Sequence, residues 1–537
     1  MNATTPVQDP DVAIQHALAL HQRGELDNAR AAYLAILVTA PRHANTLHLL
    51  GVVARQQGAP AQAAELIGQA IALDPRQATM HCNLGAAWQD LGEPARALAS
   101  YDAAIALHPA YALAWSNRGN SLRQLLRLED ACASYERALA LRPDYPEALC
   151  NLAISLHGLG RDAAALAAAG RALALRPRDV EALCARGNAL LGMQRHDEAA
   201  VAFGHALESN GRHAQAWCWR GIALQKAGRF DEAVASYRQA IVQRPHFADA
   251  FQFLGNALRA QGQHAAALDA WRQALALGGD AEALAFAIAS LDAQATPAAA
   301  PAGYITALFD AYAERFDTHL VEALGYRTPE LIGAALDQLD LPDGLDTLDL
   351  GCGTGLCAPV LRARSRTLTG VDLSPLMLEK ARERGAYEML ACSDMGAWLA
   401  GRADAFDLVV AADVLVYVGD LAPLMGQVQA ALRPQGWFAC SVETHGGPGF
   451  VLQASSRYAH AHSYVEDTVR IAGLRLHAAV PAILRRDRAA AVHGTIYLLQ
   501  KSQGFGPNVS VNSATPSTPP VTTSPGFSGP TPDGVPV

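Results

Sequence analysis

"DLGCGTG", residues 349–355, is the stretch that decides the fold of the carboxyl-terminal part of this chain. It places Gly351, Gly353 and Gly355 at alternate positions, directly after the strand-like run LDTLDL. From there to about residue 501, extended and helical patterns alternate, which is typical of a parallel sheet covered by helices on both faces. Ligands of such sheets bind at the carboxyl ends of the strands. The glycine loop is therefore predicted to border a ligand site.

The spacing of the glycines separates two classes of ligand. A dinucleotide-binding loop, GxGxxG, needs its third glycine at position 356, where this chain has Leu356. The GxGxG form preceded by an acid resembles motif I of the class I S-adenosylmethionine-dependent methyltransferases. Because S-adenosylmethionine has no phosphate, such a loop only has to let the backbone come close to the cofactor.

The resemblance implies S-adenosylmethionine as the cofactor and assigns roles to residues between 302 and 501. Asp372, in "GVDLS", matches the carboxylate that accepts both ribose hydroxyls, and capping of the helix that begins at Pro375 is the alternative. Asp394 matches the acid that takes the adenine amino group, with a helix N-cap as the alternative, and Met395 lies beside the base. The cofactor-binding residues predicted in this way are Asp349, Gly351, Gly353, Gly355, Asp372, Asp394, Met395, Ala411, Tyr304 and Tyr312.

The sequence patterns that indicate Ala411, Tyr304 and Tyr312 as cofactor residues are less specific. Ala411 stands at the end of the fourth strand, which borders the methionine moiety in the family. Tyr304 and Tyr312 lie on a segment that caps the cofactor in relatives, but their spacing also suits the apolar face of any amphipathic helix.

The acceptor is not specified by the sequence. The run AADVLVYV lacks the N/D-P-P-Y tetrad with which methyltransferases of nucleobase and glutamine amino groups hold their acceptor. His445, His460 and His462 follow the fifth strand, where acceptors bind in the family, but no catalytic base and no metal site is predicted.

A 34-residue repeat occupies the amino-terminal half. Prolines recur at Pro41, Pro75, Pro109, Pro143 and Pro177, and glycine and alanine recur at fixed offsets from them. A proline ends the second helix of a helical hairpin, and small residues let the two helices approach closely. The pattern resembles the tetratricopeptide repeat, with eight copies over residues 10–281. The whole chain looks like the predicted bacterial methyltransferases that carry such repeats.

One polar row follows the repeat. Asn83, Asn117 and Asn151 share one repeat position, and a row of amides can hydrogen-bond an extended peptide. The repeats of protein O-GlcNAc transferases, which these resemble, use such a row to bind protein. The alternative is that these asparagines satisfy neighbouring turns.

The predicted organisation is an all-α tetratricopeptide superhelix (10–281), a linker (282–303), an α/β Rossmann-like methyltransferase domain with a seven-stranded, mostly parallel sheet (304–501) and a disordered Ser/Thr/Pro-rich tail (502–537). A net charge of −9 and no basic stripe disfavour nucleic acid as a partner. The first residues lack the basic and apolar regions typical of a signal peptide, and the chain shows no apolar run long enough for a membrane helix and no CxxC pairs; we therefore expect a cytoplasmic protein. Two functions remain open: a methyltransferase whose repeats recruit a protein partner or substrate, and a repeat scaffold with a vestigial or cofactor-sensing methyltransferase fold.

Overall fold

The computed structural model describes residues 10–292, 296–310, 312–487 and 490–502. The chain divides after Asp292 into two compact units, which are described separately.

The first unit consists of helices that pair into antiparallel hairpins, each packed on the next along the chain. Most second helices end shortly before the repeated proline, as at Thr39 before Pro41 and at Leu73 before Pro75, because proline cannot continue the hydrogen-bond ladder. The helices are α1 (Pro10–Gln22), α2 (Leu26–Thr39), α3 (Ala44–Gln56), α4 (Pro60–Leu73), α5 (Ala78–Asp90), α6 (Pro94–Leu107), α7 (Ala112–Gln124), α8 (Leu128–Leu141), α9 (Pro146–Gly158), α10 (Asp162–Leu175), α11 (Val180–Gly192), α12 (His196–Ser209), α13 (Ala214–Lys226), α14 (Phe230–Gln243), α15 (Ala248–Ala260), α16 (His264–Ala276) and α17 (Ala281–Ala289).

In five of the hairpins the repeated glycine faces an aromatic ring of the partner helix. A Cβ at Gly85 would lie 2.7 Å from the ring of Tyr101, and one at Gly119 would lie 2.6 Å from the ring of Tyr135. Both tyrosines are fully buried. The glycine is therefore what lets the two helices of a pair approach closely.

The linker predicted over 282–303 is wrong in its first part, because Ala281–Ala289 forms helix α17. Asp280 caps this helix through the backbone N–H of Ala283, at 3.0 Å, and Leu284 packs into the core of the preceding repeats. The end of the segment belongs to the second unit: Ala299 pairs with Val418, and the carbonyl of Pro297 accepts a hydrogen bond from Tyr458. An alanine-rich run next to prolines does not show where a helix ends and a linker begins.

The second unit is built on a seven-stranded sheet in the order β3-β2-β1-β4-β5-β9-β8. Strands β1 to β5 are parallel, and β9 and β8 close the sheet in antiparallel pairing. A separate pair, β6 and β7, follows β5. The strands are β1 (Leu345–Leu350), β2 (Ser365–Asp372), β3 (Met389–Cys392), β4 (Phe406–Ala411), β5 (Leu432–Glu443), β6 (Phe450–Leu452), β7 (Tyr458–His460), β8 (Leu474–Asp487) and β9 (Ala490–Lys501).

Helices cover the sheet, and buried apolar residues lie on both of its faces. The helices are α18 (Ala302–Asp310), α19 (Phe316–Thr318), α20 (Thr328–Leu336), α21 (Ala358–Arg362), α22 (Pro375–Glu383), α23 (Met395–Leu399), α24 (Ala422–Ala431) and α25 (His462–Ile471), with further short helical turns at Ala313–Arg315, His319–Ala323 and Leu415–Tyr417. All six residues of β1 are buried, as expected of a central parallel strand. The predicted fold class, helical repeats followed by an α/β unit with a seven-stranded, mostly parallel sheet, is confirmed. The predicted tail lies outside the described residues, except for Ser502.

Candidate functional site

A cavity lies at the carboxyl ends of the parallel strands, where the sheet order predicts a ligand site. It contains about 1370 Å³ of empty space, counting the part open to solvent. Its floor is formed by the glycine loop after β1 and by the ends of β2, β3 and β4, and its roof by the helical segment from α18 to residue 324. Most of the predicted cofactor residues line it: Asp349, Gly351, Gly353, Asp372, Asp394, Met395 and Tyr312.

Glycine is needed at the three loop positions for different structural reasons. A Cβ at Gly351 would lie 2.3 Å from a methyl group of Val414, and one at Gly355 would lie 3.0 Å from the ring of Tyr387. The nearest atom to a Cβ at Gly353 would be 3.9 Å away, on Phe316 across the cavity. Only Gly353 therefore leaves open space on the cavity side, whereas Gly351 and Gly355 are required by protein packing. Gly355 does not line the cavity.

Asp372 is fixed between two loops at the end of β2. Its Oδ2 accepts the backbone N–H of Gly353 and its Oδ1 accepts that of Ser374, both at 2.9 Å. The N-cap of α22 is Ser374, whose Oγ accepts the backbone N–H of Met377 at 3.1 Å. Helix capping is therefore not the role of Asp372, and the carboxylate borders the cavity.

Asp394 is a helix N-cap that also borders the cavity. Its Oδ1 accepts the backbone N–H of Ala397 at 2.9 Å, so Asp394 is the N-cap of α23. Asp394 and Met395 also line the cavity beyond the end of β3. Capping fixes the orientation of the side chain without removing it from the cavity.

Asp349 is a buried carboxyl at the base of the loop, with 1% of its surface exposed. The Tyr387 hydroxyl donates a hydrogen bond of 2.7 Å to its Oδ2. Burial raises the pKa of Asp349 to about 7, an effect that this hydrogen bond opposes. Burial therefore favours the protonated form of this carboxyl more than in an ordinary aspartate.

Besides Gly355, two of the predicted cofactor residues lie outside the cavity. Ala411 is fully buried in the core, and the next three residues, 412–414, line the cavity instead. Side chains of a strand alternate between its two faces, so the end of β4 alone does not show which residue faces a ligand. Tyr304 packs beside Ile305, Val416 and Tyr417, because the cavity face of its helical segment runs through residues 305, 308, 309, 312 and 316.

The roof segment is held to the floor by side-chain contacts. Asp317 accepts hydrogen bonds from the Thr354 hydroxyl and from the Arg384 guanidinium. Phe309, Tyr312 and Phe316 pack edge to face and line the cavity. The roof is therefore tied directly to the glycine loop.

A buried ionic cluster beside the cavity was not predicted from the sequence. Arg485 on β8 donates to both oxygens of Asp413, at 2.8 and 3.1 Å, and to Glu443 at the end of β5. Asp413 has a φ of 55°, and the Ser441 hydroxyl accepts its backbone N–H at 2.7 Å. Arg457, just before β7, lies 3.5 Å from Glu443. Asp413 and Arg457 line the cavity; no local motif identifies them, because their partners are 14 to 72 residues away.

The three histidines after β5 lie outside the cavity lining that the structure describes. His460 is fully buried, and its Nε2 lies 2.9 and 3.0 Å from the carbonyls of Val418 and Gly419. Burial lowers the pKa of His460 to about 4, so it is neutral at pH 7. His445 binds its own loop at Gly447 and Gly449. His462 lies 2.8 Å from the Tyr497 hydroxyl.

In the first unit, the asparagine row bridges neighbouring repeats. The side-chain amide of Asn83 lies 2.8 Å from Nε2 of His48 in the preceding repeat, and that of Asn151 donates to Asn120 at 3.0 Å. Asn117 contacts the Cys82 thiol in the same direction. All three are half-buried on the first helices of consecutive hairpins. The row exists as predicted, but its amides already have partners within the repeats.

The described residues contain no group of three or more His, Cys, Asp or Glu side chains placed to hold a metal ion. No helix in the described ranges is both long and apolar enough to cross a membrane.

Comparison with known proteins matches both parts of the chain. A family profile described as a methyltransferase domain matches residues 348–440. Profiles described as a tetratricopeptide repeat match residues 48–112, 184–246 and 220–282, and one described as a TPR repeat matches residues 119–160.

The curated relatives are matched over part of their length. The ubiquinone biosynthesis O-methyltransferase of Thiobacillus denitrificans is 30% identical over 116 residues, which are 20% of this chain and 49% of that protein. The trans-aconitate 2-methyltransferase of Paracidovorax citrulli is 35% identical over 106 residues, 19% of this chain and 41% of that protein. A solved tetratricopeptide repeat protein from Parabacteroides merdae is 20% identical, covers 45% of this chain and 96% of its own, and has a TM-score of 0.39. The chain thus spans about half the length, or less, of these curated relatives.

Proposed function

We propose that this chain, which joins tetratricopeptide repeats to a class I methyltransferase domain, transfers methyl groups from S-adenosylmethionine to an acceptor that its repeats help to recruit. The observation that carries the proposal is the cavity, in which the glycine loop, Asp372 and Asp394 meet at the carboxyl ends of adjacent strands. The repeats supply the surface for a protein or peptide partner.

The residues present fit the cofactor. Asp372 is held by two backbone N–H groups, and its remaining lone pairs can accept from ribose hydroxyls. Asp394 and Met395, beyond the end of β3, suit the adenine amino group and the base. The open face of Gly353 lets a ligand reach the backbone, as a side chain there would not.

When bound, S-adenosylmethionine supplies an activated methyl group on a sulfonium. The protein then has to orient the acceptor and exclude water. The aromatic roof of Phe309, Tyr312 and Phe316 covers the cavity and suits the second task.

The direct test is calorimetry on the full chain with S-adenosylhomocysteine and with NAD. We expect one S-adenosylhomocysteine bound per chain and no NAD binding, because the loop lacks a third glycine at 356 and has no need to hold a pyrophosphate. Micromolar binding of NAD together with none of S-adenosylhomocysteine would refute the proposal.

A scaffold with a vestigial cofactor site is the second candidate, because the repeats are the larger part of the chain. Cell extract incubated with the chain and tritium-methyl S-adenosylmethionine distinguishes the two. A labelled product that disappears with Asp372→Asn supports the enzyme; cofactor binding without any product supports the scaffold.

The same labelling experiment also tests the role of the asparagine row in the repeats. Changing Asn83, Asn117 and Asn151 to Ala is expected to reduce labelling of a protein acceptor while the affinity for S-adenosylhomocysteine stays unchanged. Because the amides bridge repeats, we also expect some loss of stability, about 0.5–1.5 kcal/mol per lost hydrogen bond. Unchanged labelling with a lower melting temperature would limit the row to a structural role.

We place this activity in the cytoplasm. All nine cysteines lie within the described residues and are free thiols, eight of them buried, which suits a reducing compartment.

A further inference from the structure

The cavity extends beyond the part that the cofactor residues define. Asp394 lies after β3 and Asp372 at the end of β2, whereas Glu443 ends β5. Four strand spacings separate β3 from β5, about 19 Å at the usual spacing. The end near β5 is therefore available for the acceptor, and its charged groups bear on what the acceptor is.

Arg457 is the only positively charged residue among the lining residues that the structure describes. Its side chain is 24% exposed, whereas those of Arg485 and Glu443 are 5% exposed. It therefore lies at the cavity surface of the ionic cluster, and Arg485 lies inside it.

The two arginines do not share the carboxylates equally. Arg485 takes both oxygens of Asp413 and also Oε1 of Glu443. Arg457 reaches the same Oε1 of Glu443 only at 3.5 Å, at the outer limit of a hydrogen bond. The guanidinium carbon of Arg457 also lies 5.8 Å from the centre of the Tyr417 ring. A guanidinium has five N–H donors in a planar fork. The cluster thus binds both carboxylates mainly through Arg485 and leaves Arg457 with donors for a ligand.

Apart from Asp372 and Asp394, which the proposed function assigns to the cofactor, the same lining provides no general base among the described residues for an acceptor that arrives protonated. It contains no histidine or lysine among the described residues. Asp349 is 1% exposed and bonded to Tyr387, and Asp413 is paired with Arg485. Burial raises the pKa of the Cys352 and Cys357 thiols, so neither is a thiolate at neutral pH. An acceptor that is already an anion does not need a base.

We propose that the methyl acceptor is a carboxylate on an apolar body, bound through its carboxylate by Arg457. This rests on the proposed methyltransferase function. The apolar body packs against the roof, where Ile305, Leu308, Phe309, Leu320 and Leu324 line the cavity. A bidentate pair with the guanidinium orients the carboxylate.

The reaction then needs no proton transfer. A carboxylate oxygen attacks the methyl carbon of the sulfonium; an O–C bond forms, the S–C bond breaks, and its electron pair stays on sulfur. The products are a methyl ester and the thioether S-adenosylhomocysteine.

The test uses the full chain saturated with S-adenosylhomocysteine and titrated with octanoate, octanamide and octan-1-ol. These probes share one alkyl chain and differ in the charge of the head group. We expect octanoate to bind tenfold or more tightly than either neutral probe, because only its charged head group pairs with Arg457. Equal binding of the three would overturn the proposal.

Variants of Arg457 test whether this residue binds the carboxylate of octanoate. Arg457→Gln is expected to reduce the preference for octanoate to less than threefold, and Arg457→Lys to retain part of it, because lysine keeps the charge without the planar fork. Glu443 keeps Arg485 in both variants, so the fold should survive. Arg470→Gln, at an exposed helix pair with Asp467, is the matched control and should change nothing. A full preference for octanoate in Arg457→Gln would overturn the assignment.

Affinity for S-adenosylhomocysteine, measured on the same variants, separates this inference from the proposed function. If Arg457→Gln loses that affinity, Arg457 holds the carboxylate of the cofactor and the inference is wrong while the function stands. If the wild-type chain binds no S-adenosylhomocysteine at all, the proposed function itself fails.

Discussion

At the scale of single residues, the protonation of Asp349 links the glycine loop to stability. Its pKa of about 7 in the folded chain lies above the ordinary aspartate value of about 3.9 in an unfolded one. The favourable contribution of such a group is present below the unfolded pKa and is lost as pH rises through the folded pKa. The methyltransferase unit therefore loses stability from this carboxyl between about pH 4 and pH 7.

Asp349→Asn is expected to remove this loss. The amide oxygen can still accept from Tyr387. The free energy of unfolding of the variant, relative to that of wild type, should therefore rise by at least about 1 kcal/mol from pH 5 to pH 8. Scanning calorimetry at both pH values, on the transition that S-adenosylhomocysteine shifts, measures the difference. A difference independent of pH would show that Asp349 is ionised in the folded protein.

The sequence pointed to the acids and glycines of the loop region, but not to the packing contacts that require some of the glycines. Gly351 and Gly355 are required by Val414 and Tyr387, and these contacts exist only after folding. Arg457 has no local motif, because its position depends on the pairing of β6 with β7 and on Glu443. Residues set by chain-local geometry are predictable; those set by long-range packing are not.

At the scale of elements, the roof segment determines access to the cavity. Asp317 ties it to Thr354 in the glycine loop and to Arg384 after α22, and Glu314 pairs with Lys380 at 3.1 Å. The sequence indicated a capping helix here, and its cavity-facing residues, 305 to 316, follow a helical period.

Asp317→Asn should loosen the roof. We expect S-adenosylhomocysteine to dissociate several-fold faster, because each lost hydrogen bond contributes about 0.5–1.5 kcal/mol, and trypsin to cleave within 312–327 more quickly. Stopped-flow displacement measures the rate. Glu330→Gln, at an exposed pair with Arg327, is the control. Equal rates in all three proteins would mean that Asp317 does not hold the roof.

The glycine–aromatic contacts make a second prediction at this scale. Gly119→Ala places a methyl group 2.6 Å from the ring of Tyr135 and should cost about 1–3 kcal/mol. Gly170→Ala, on the exposed side of α10 with nothing within 4 Å, should be neutral or stabilising by up to about 1 kcal/mol. Thermal unfolding followed by circular dichroism compares them. Equal effects would mean that the hairpins do not depend on this approach.

At the scale of the whole molecule, the predicted combination of tetratricopeptide repeats with a class I methyltransferase domain is confirmed. The amino-acid sequence shows both a 34-residue period and a regular strand–helix alternation, so the fold class could be predicted. Helix α17 and the β6–β7 pair could not, because one lies in an alanine-rich run and the other is only three residues per strand.

The measurement that tests the central claim most directly is the affinity of the full chain for S-adenosylhomocysteine with and without the Asp372 carboxylate. We expect Asp372→Asn to weaken binding by roughly 2–4 kcal/mol, because the ribose hydroxyls lose a charged acceptor and the amide cannot accept from both Gly353 and Ser374. Asp404→Asn, which removes a surface carboxylate paired with Lys501, should bind like wild type. Equal affinities in all three proteins, with melting temperatures unchanged, would contradict the assignment of this cavity as the cofactor site.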